Sequence, residues 1–242
     1  MIDKKELSYG VGLILTFFVI LFLMWSPLFG KDADGKGLNA FQAADNLFNS
    51  IAKGSSYFME VMEEKNQVFV GKTFKASLEL NNERWGAMAQ TMLQAAGAGA
   101  SLDGSTVHVE GDLGAVLQAA IIDSRDMFHN DGAKVGSRYG HGEPQARELL
   151  YVWNNLIKGL EKELNAQERF ADAKHLGEVL SKSVEVGYNF YGIVAESAGS
   201  KAGILTFSLI FYIIYTLWWG MAILFFFEGL GLKMTAGKKK EA

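Results

Sequence analysis

Two histidines, two carboxylates and an arginine crowd into residues 129–143, as His129-Asn130-Asp131-Gly132 and Ser137-Arg138-Tyr139-Gly140-His141-Gly142-Glu143. Imidazole nitrogens and carboxylate oxygens ligate divalent metals, and glycines let a loop wrap round an ion. His129, Asp131, His141 and Glu143 are therefore the candidate ligands, with Arg138 as the candidate partner for an anion. No two ligands stand at i, i+4 on a helix, so their spacing preorganises nothing. Asn130-Asp131-Gly132 is also ordinary turn chemistry, and a plain surface loop remains the simpler reading.

Little else in the chain suggests catalysis. There is no Walker A loop, dinucleotide fingerprint, H-E-x-x-H or G-x-S-x-G. Asp32-Ala33-Asp34-Gly35 starts like a calcium loop but lacks the later ligands, so it reads as a linker. His108 reads as a strand residue and His175 as a helix-surface residue, neither with a nucleophile at triad spacing. The absence of cysteine removes thiol catalysis, thiolate metal sites and disulfides. No cofactor is implied. A net charge of −4 speaks against a nucleic-acid partner.

The elements that must position these residues are dominated by two apolar blocks. Tyr9–Phe29 is 21 residues long, roughly 31 Å as a helix, the thickness of a bilayer core. Lys4 and Lys5 precede it as in a signal peptide. The run is longer than a signal core and no A-x-A-like site follows, so it reads as an uncleaved anchor. Ile204–Phe227 is 24 residues without a charge. Trp25, Tyr212, Tyr215, Trp218 and Trp219 suit a membrane interface or a face packed on another helix, as do Tyr188 and Tyr191 on the approach to the second block. Glu228 fits the headgroup level. Six Lys flank the outer ends of the two blocks against three on the inner flanks. Both termini are therefore expected in the cytoplasm.

The predicted organisation is a cytoplasmic N-terminus over 1–8, a first span over 9–29 and an extracytoplasmic domain over 30–202. A second span over 203–230 and a basic cytoplasmic tail over 231–242 complete it. Within the outer domain, Phe41, Ala44, Phe48, Ile51, Ser55, Phe58 and Met62 keep 3-4 spacing, so Leu38–Glu64 is expected as one helix. The same spacing from Leu176 through Ile193 predicts a helix that either runs on into the second span or bends at Gly187, Gly192, Gly199 or Gly203. Glu83–Ala96, Gly111–His129 and Glu143–Asn165 are further helices. Gln67–Leu80 and Ser105–Glu110 alternate weakly enough for short strands, whereas Gly97–Ser101 and Asn130–Gly142 read as loops. The fold class is mainly α: two transmembrane helices flanking a four- or five-helix bundle, with room for one short β-hairpin.

Leu156-Ile157-Lys158-Gly159-Leu160-Glu161 and Phe170-Ala171-Asp172-Ala173, with Asp45-Asn46-Leu47-Phe48, Gly54 and Tyr57, resemble parts of an uncharacterised bacterial family of membrane-anchored helical cell-envelope proteins. The resemblance implies the bacterial inner membrane with a periplasmic domain and no assigned activity. Three functions follow as expectations. The first is a non-enzymatic scaffold or accessory subunit of a larger membrane complex, partnered by the bilayer and by other subunits or its own copies. The second is a ligand-sensing module that signals through a partner, and the third a metal-dependent enzyme using the 129–143 loop.

Overall fold

The computed structural model describes residues 2–32 and 35–232. Ala33-Asp34 of the acidic linker and the basic tail beyond Leu232 lie outside the described residues. The elements run α1 (Lys4–Trp25), α2 (Ala40–Ser55), α3 (Met59–Asn66), β1 (Thr73–Glu79), α4 (Glu83–Ala95), β2 (Gly99–Asp103), β3 (Thr106–Asp112), α5 (Leu113–Phe128), α6 (Gly132–Arg138), α7 (Ala146–Ala166), α8 (Phe170–Val179), a π-helical turn (Leu180–Val184), α9 (Glu185–Phe190) and α10 (Ala202–Gly229). The chain divides into two compact units, one formed by Met1–Ile51 with Glu196–Ala242, the other by Ala52–Ala195.

The first unit is built on α1 and α10, two helices long and apolar enough to cross a membrane. Asp3 starts α1 by accepting from the Lys5 and Glu6 amides at 3.0 and 3.3 Å, and Pro27 follows its last turn. The helices run antiparallel. A Cβ on Gly10 would collide with the backbone of Phe226, and one on Gly229 with that of Leu7. Glycine at these points lets the two backbones close on each other, as small residues do between membrane helices. The seam continues through Trp218 Nε1 donating to the Leu13 carbonyl at 3.2 Å and Phe17 against Trp219, with ring centroids 4.6 Å apart.

In the second unit a sheet of order β1-β3-β2, antiparallel throughout, shares its core with the helices. Phe74, Ala76 and Leu78 of β1 and Val107 and Val109 of β3 are buried on one face, and the intervening residues are exposed. Both sheet edges are covered by side chains. Gln167 donates to the Lys75 carbonyl and Arg169 to that of Thr73 on one edge. Gln90 and Gln94 both donate to Ala100 on the other. This occupies the outward carbonyls of Thr73, Lys75 and Ala100, on which a further strand would pair.

Several expected boundaries need correction. Gly97–Ser101 is not all loop: Gly99–Asp103 is a strand paired to β3, so the expected hairpin is a three-stranded sheet. Gly104-Ser105 is its signal, because Gly104 at φ +59 opens the tight two-residue turn between Asp103 and Thr106. Residues 132–138 of the expected loop Asn130–Gly142 form α6, capped by Asp131, whose carboxylate accepts from the Lys134 amide at 3.3 Å. Leu38–Glu64 breaks at Ser56–Phe58, where the Ser55 and Ser56 hydroxyls both bond back to the Ala52 carbonyl. The helix from Leu176 stops at Phe190 and turns at Gly192, with φ +85.

A clasp holds the two ends of the second unit. Lys53 is 3% exposed and has no carboxylate within ion-pair distance among the described residues. Its ammonium donates to the carbonyls of Phe190 at 3.0 Å and Ile193 at 2.6 Å, and to Asn130 Oδ1 at 3.3 Å. The charge thus meets the negative end of the α9 dipole. Burial still lowers its pKa. Asn130, in the left-handed region at φ 64, also accepts from the Gly192 amide at 2.7 Å.

Candidate functional site

One cluster of charged residues in the second unit gathers round α5. Asp123 has no exposed surface. One of its carboxylate oxygens accepts from the Tyr139 hydroxyl at 2.5 Å and from Trp153 Nε1 at 2.7 Å, and the other pairs with the Arg138 guanidinium. Arg138 also pairs with Asp126 at 2.6 Å, and Asp126 with Lys134 at 2.9 Å. Burial pushes the Tyr139 phenol up to about 12, although the Arg138 charge and the Trp153 N–H pull the other way. Tyr139 therefore stays protonated and donates. Two carboxylates and two cations cancel, and the cluster joins α5, α6 and α7 with its hydrogen bonds spent internally.

The 129–143 residues are dispersed by these demands. Arg138 is committed to Asp123 and Asp126. His129 Nδ1 lies 2.9 Å from the Arg125 carbonyl, and its ring packs on Tyr57 and Phe128. Asp131 caps α6, and Glu143 accepts from the Tyr191 hydroxyl at 2.9 Å. The His141 amide donates to the Gly136 carbonyl. No group of three or more metal-competent side chains converges among the described residues. Tyr191, with Tyr188, flanks the Arg147 guanidinium in the second unit.

His175, read from sequence as a surface residue, is 6% exposed. Its ring stacks on Phe69 at 3.9 Å, and the Lys72 ammonium lies 4.3 Å from the same Phe69 ring. Asn66 Nδ2 donates to the Gly114 carbonyl, which leaves Oδ1 to accept from His175 Nε2–H at 3.2 Å. Burial lowers the pKa of His175, and the neighbouring Lys65 and Lys72 add to that against Glu178 and Asp172. The folded pKa lies below the unfolded one, so the unfolded chain binds the proton more readily. Stability is complete above the unfolded value near ~6.5 and is lost as pH falls from there through the folded pKa. The urea midpoint of the full chain is expected to fall between pH 7 and 5.5, and His175→Gln to flatten that fall.

No family model matches the chain, and no curated protein or solved structure shows significant similarity to it. Function is therefore read from this geometry.

The surface of α1 and α10 is apolar and largely uncovered. In the most apolar stretches of α1 and α10 only 6% of the residues are buried, and Phe18, Phe22, Phe207, Leu209 and Leu217 stand more than half exposed. Two adjoining recesses run along the pair. One of about 180 Å³ is walled by Phe17, Leu21, Phe41, Phe211, Tyr215 and Trp218. The other, of about 450 Å³, lies against Ala43, Ala44, Leu47 and Phe48 of α2, and Ile20, Met24 and Phe211 belong to both. Trp25 packs edge-on to Phe41 at 5.1 Å, Tyr212 is exposed, and Glu228 is exposed in the last turn of α10. Thr16, Ser208 and Thr216 fold their hydroxyls back onto carbonyls one turn earlier.

Proposed function

We propose that the protein is a non-enzymatic, two-span membrane protein that acts as a scaffold or accessory subunit of a larger cell-envelope complex. The apolar trough along α1 and α10 carries this reading. In water, an uncovered apolar face on two helices of 22 and 28 residues exceeds the patches that soluble monomers tolerate. In lipid it costs nothing, and helices of about 33 and 42 Å at ~1.5 Å per residue reach across a ~30 Å core. The internally bonded hydroxyls of Thr16, Ser208 and Thr216 fit that solvent. A trough left open by its own chain suits a helix from another subunit or a second copy.

The lysine asymmetry supports cytoplasmic termini and a periplasmic domain over 30–202, in the inner membrane of a bacterium. Two experiments test the proposal. Native mass measurement of the full-length chain, extracted gently, is expected to give a complex of fixed stoichiometry. The variant Phe207→Asn with Phe211→Asn should dissociate it. A lone monomer, or a complex indifferent to that variant, would overturn the subunit reading. In intact cells, Ser101→Cys should react with a membrane-impermeant maleimide applied from outside. Labelling only after permeabilisation would reverse the orientation.

A further inference from the structure

A further recess, independent of the membrane reading, lies wholly within the second unit. It measures about 290 Å³ and is lined by Tyr151, Asn154 and Lys158 of α7 facing Val184, Glu185, Tyr188 and Asn189. On α7 the three residues follow at 3-4 spacing, one stripe of a helix face. Across from them the chain passes through the π-helical turn Leu180–Val184. Such turns are rare and concentrate at functional sites. The extra residue in the wide turn rotates everything after it by about 100° relative to an unbroken helix, which sets the facing of Glu185, Tyr188 and Asn189.

The polar groups of this recess are unspent. Among the described residues, no hydrogen bond or ion pair engages the side chains of Asn154, Lys158, Glu185 and Asn189 or the hydroxyls of Tyr151 and Tyr188. The rings are nevertheless held. Tyr151 packs on Trp85 at 4.9 Å, and Trp85 is fixed by its N–H donating to Glu148 at 3.0 Å. Arg147 lies 5.7 Å from the centroid of Tyr188 and donates to the Tyr191 carbonyl at 3.0 Å. The recess therefore offers aromatic faces whose ordering cost has already been met.

We infer that this recess binds a carbohydrate, a neutral oligosaccharide with one residue seated over the tilted pair Tyr151 and Tyr188, whose ring centroids lie 6.5 Å apart. A pyranose has an apolar C–H face and a rim of hydroxyls that both donate and accept. Fixed aromatic rings match the face. The amides of Asn154 and Asn189 donate and accept together, which matches the rim. Lys158 and Glu185 carry opposite charges, so the lining residues themselves carry no net charge. The recess volume is at the small end of ligand pockets, about 300–1,000 Å³, the size of a single ring.

The test is calorimetric titration of the full-length protein in lipid nanodiscs, where no sugar-headed detergent competes, with maltotriose and with triacetylchitotriose. One of the two is expected to bind saturably. Tyr188→Leu and Asn189→Ala should each weaken it by about tenfold or more, as loss of a central contact does. Asn189 is exposed and unbonded, so its variant does not put folding at stake. Failure of both sugars to bind, binding unchanged in Asn189→Ala, or binding of free glycine in place of either sugar would overturn the proposal.

Discussion

Asp123→Ala is expected to cost about 3–5 kcal/mol of folding free energy, the range for removing one partner from a buried ion pair. For a unit of this size that lowers the melting temperature by about 10 °C or more. The loss has three parts. The Tyr139 hydroxyl and the Trp153 N–H lose their acceptor in a site without water access, and Arg138 keeps only Asp126. Asp123→Asn separates these contributions. It retains an oxygen for Tyr139 and Trp153 but turns a donor toward the guanidinium, so most of the loss should persist. Asp126→Ala should cost clearly less, because the Lys134 side chain it frees is 55% exposed and reaches solvent. Thermal or urea unfolding of the full chain measures all three. A loss below about 1 kcal/mol for Asp123→Ala, the level of a surface pair, would remove the cluster from the list of what holds the domain together.

The second large effect is expected in the helix pair. Gly10→Leu places a side chain where the Phe226 backbone now runs, and Gly229→Leu does the same against Leu7. Backbone cannot yield as a flexible side chain does, so the helices must part, and the bond from the Asp3 amide to the Gly229 carbonyl at 2.9 Å goes with them. The chain has no cysteine of its own. Phe17→Cys with Trp219→Cys therefore gives a clean reporter, and a short bifunctional thiol reagent should join them in the parent. Joining should fall several-fold in Gly10→Leu. Gly12→Leu is the control, because a Cβ there meets nothing within 4 Å. Equal cross-linking in Gly10→Leu and Gly12→Leu would show that close approach at Gly10 does not set the pairing.

These two sites differ in how far the sequence exposed them. The apolar helices are legible from length and the absence of charge, because a local property defines them. The glycine contacts between them are not, since Gly10 and Phe226 meet only after the chain has turned back. In 129–143, proximity in sequence suggested shared chemistry, but helix formation at Gly132–Arg138 aims Arg138 at α5 and leaves His129 beside the end of that helix. The partners that matter to Arg138 and Tyr139, Asp123 and Trp153, lie on separate helices. β2 is hard to read because Gly99, Ala100 and Ser101 give too little hydrophobic alternation, although the Gly104-Ser105 turn marks its end. His175 looked solvated from its charged neighbours Asp172 and Glu178. Those neighbours are occupied by Lys72, Arg169 and Lys65, which frees the imidazole to be buried.

The Lys53 clasp has a consequence for how this protein could have been assembled and could be re-engineered. Lys53 and Ile193 stand at opposite ends of a stretch of more than a hundred residues, yet one hydrogen bond of 2.6 Å joins them. A fold whose first and last residues meet makes a portable cassette: it can be lifted from one host chain and inserted into a loop of another without stretching either. Its N- and C-termini could equally be fused and the chain reopened elsewhere. The segment Ala52–Ala195, which lies in sequence between two helices long and apolar enough to cross a membrane, has the closed ends that such a transfer needs.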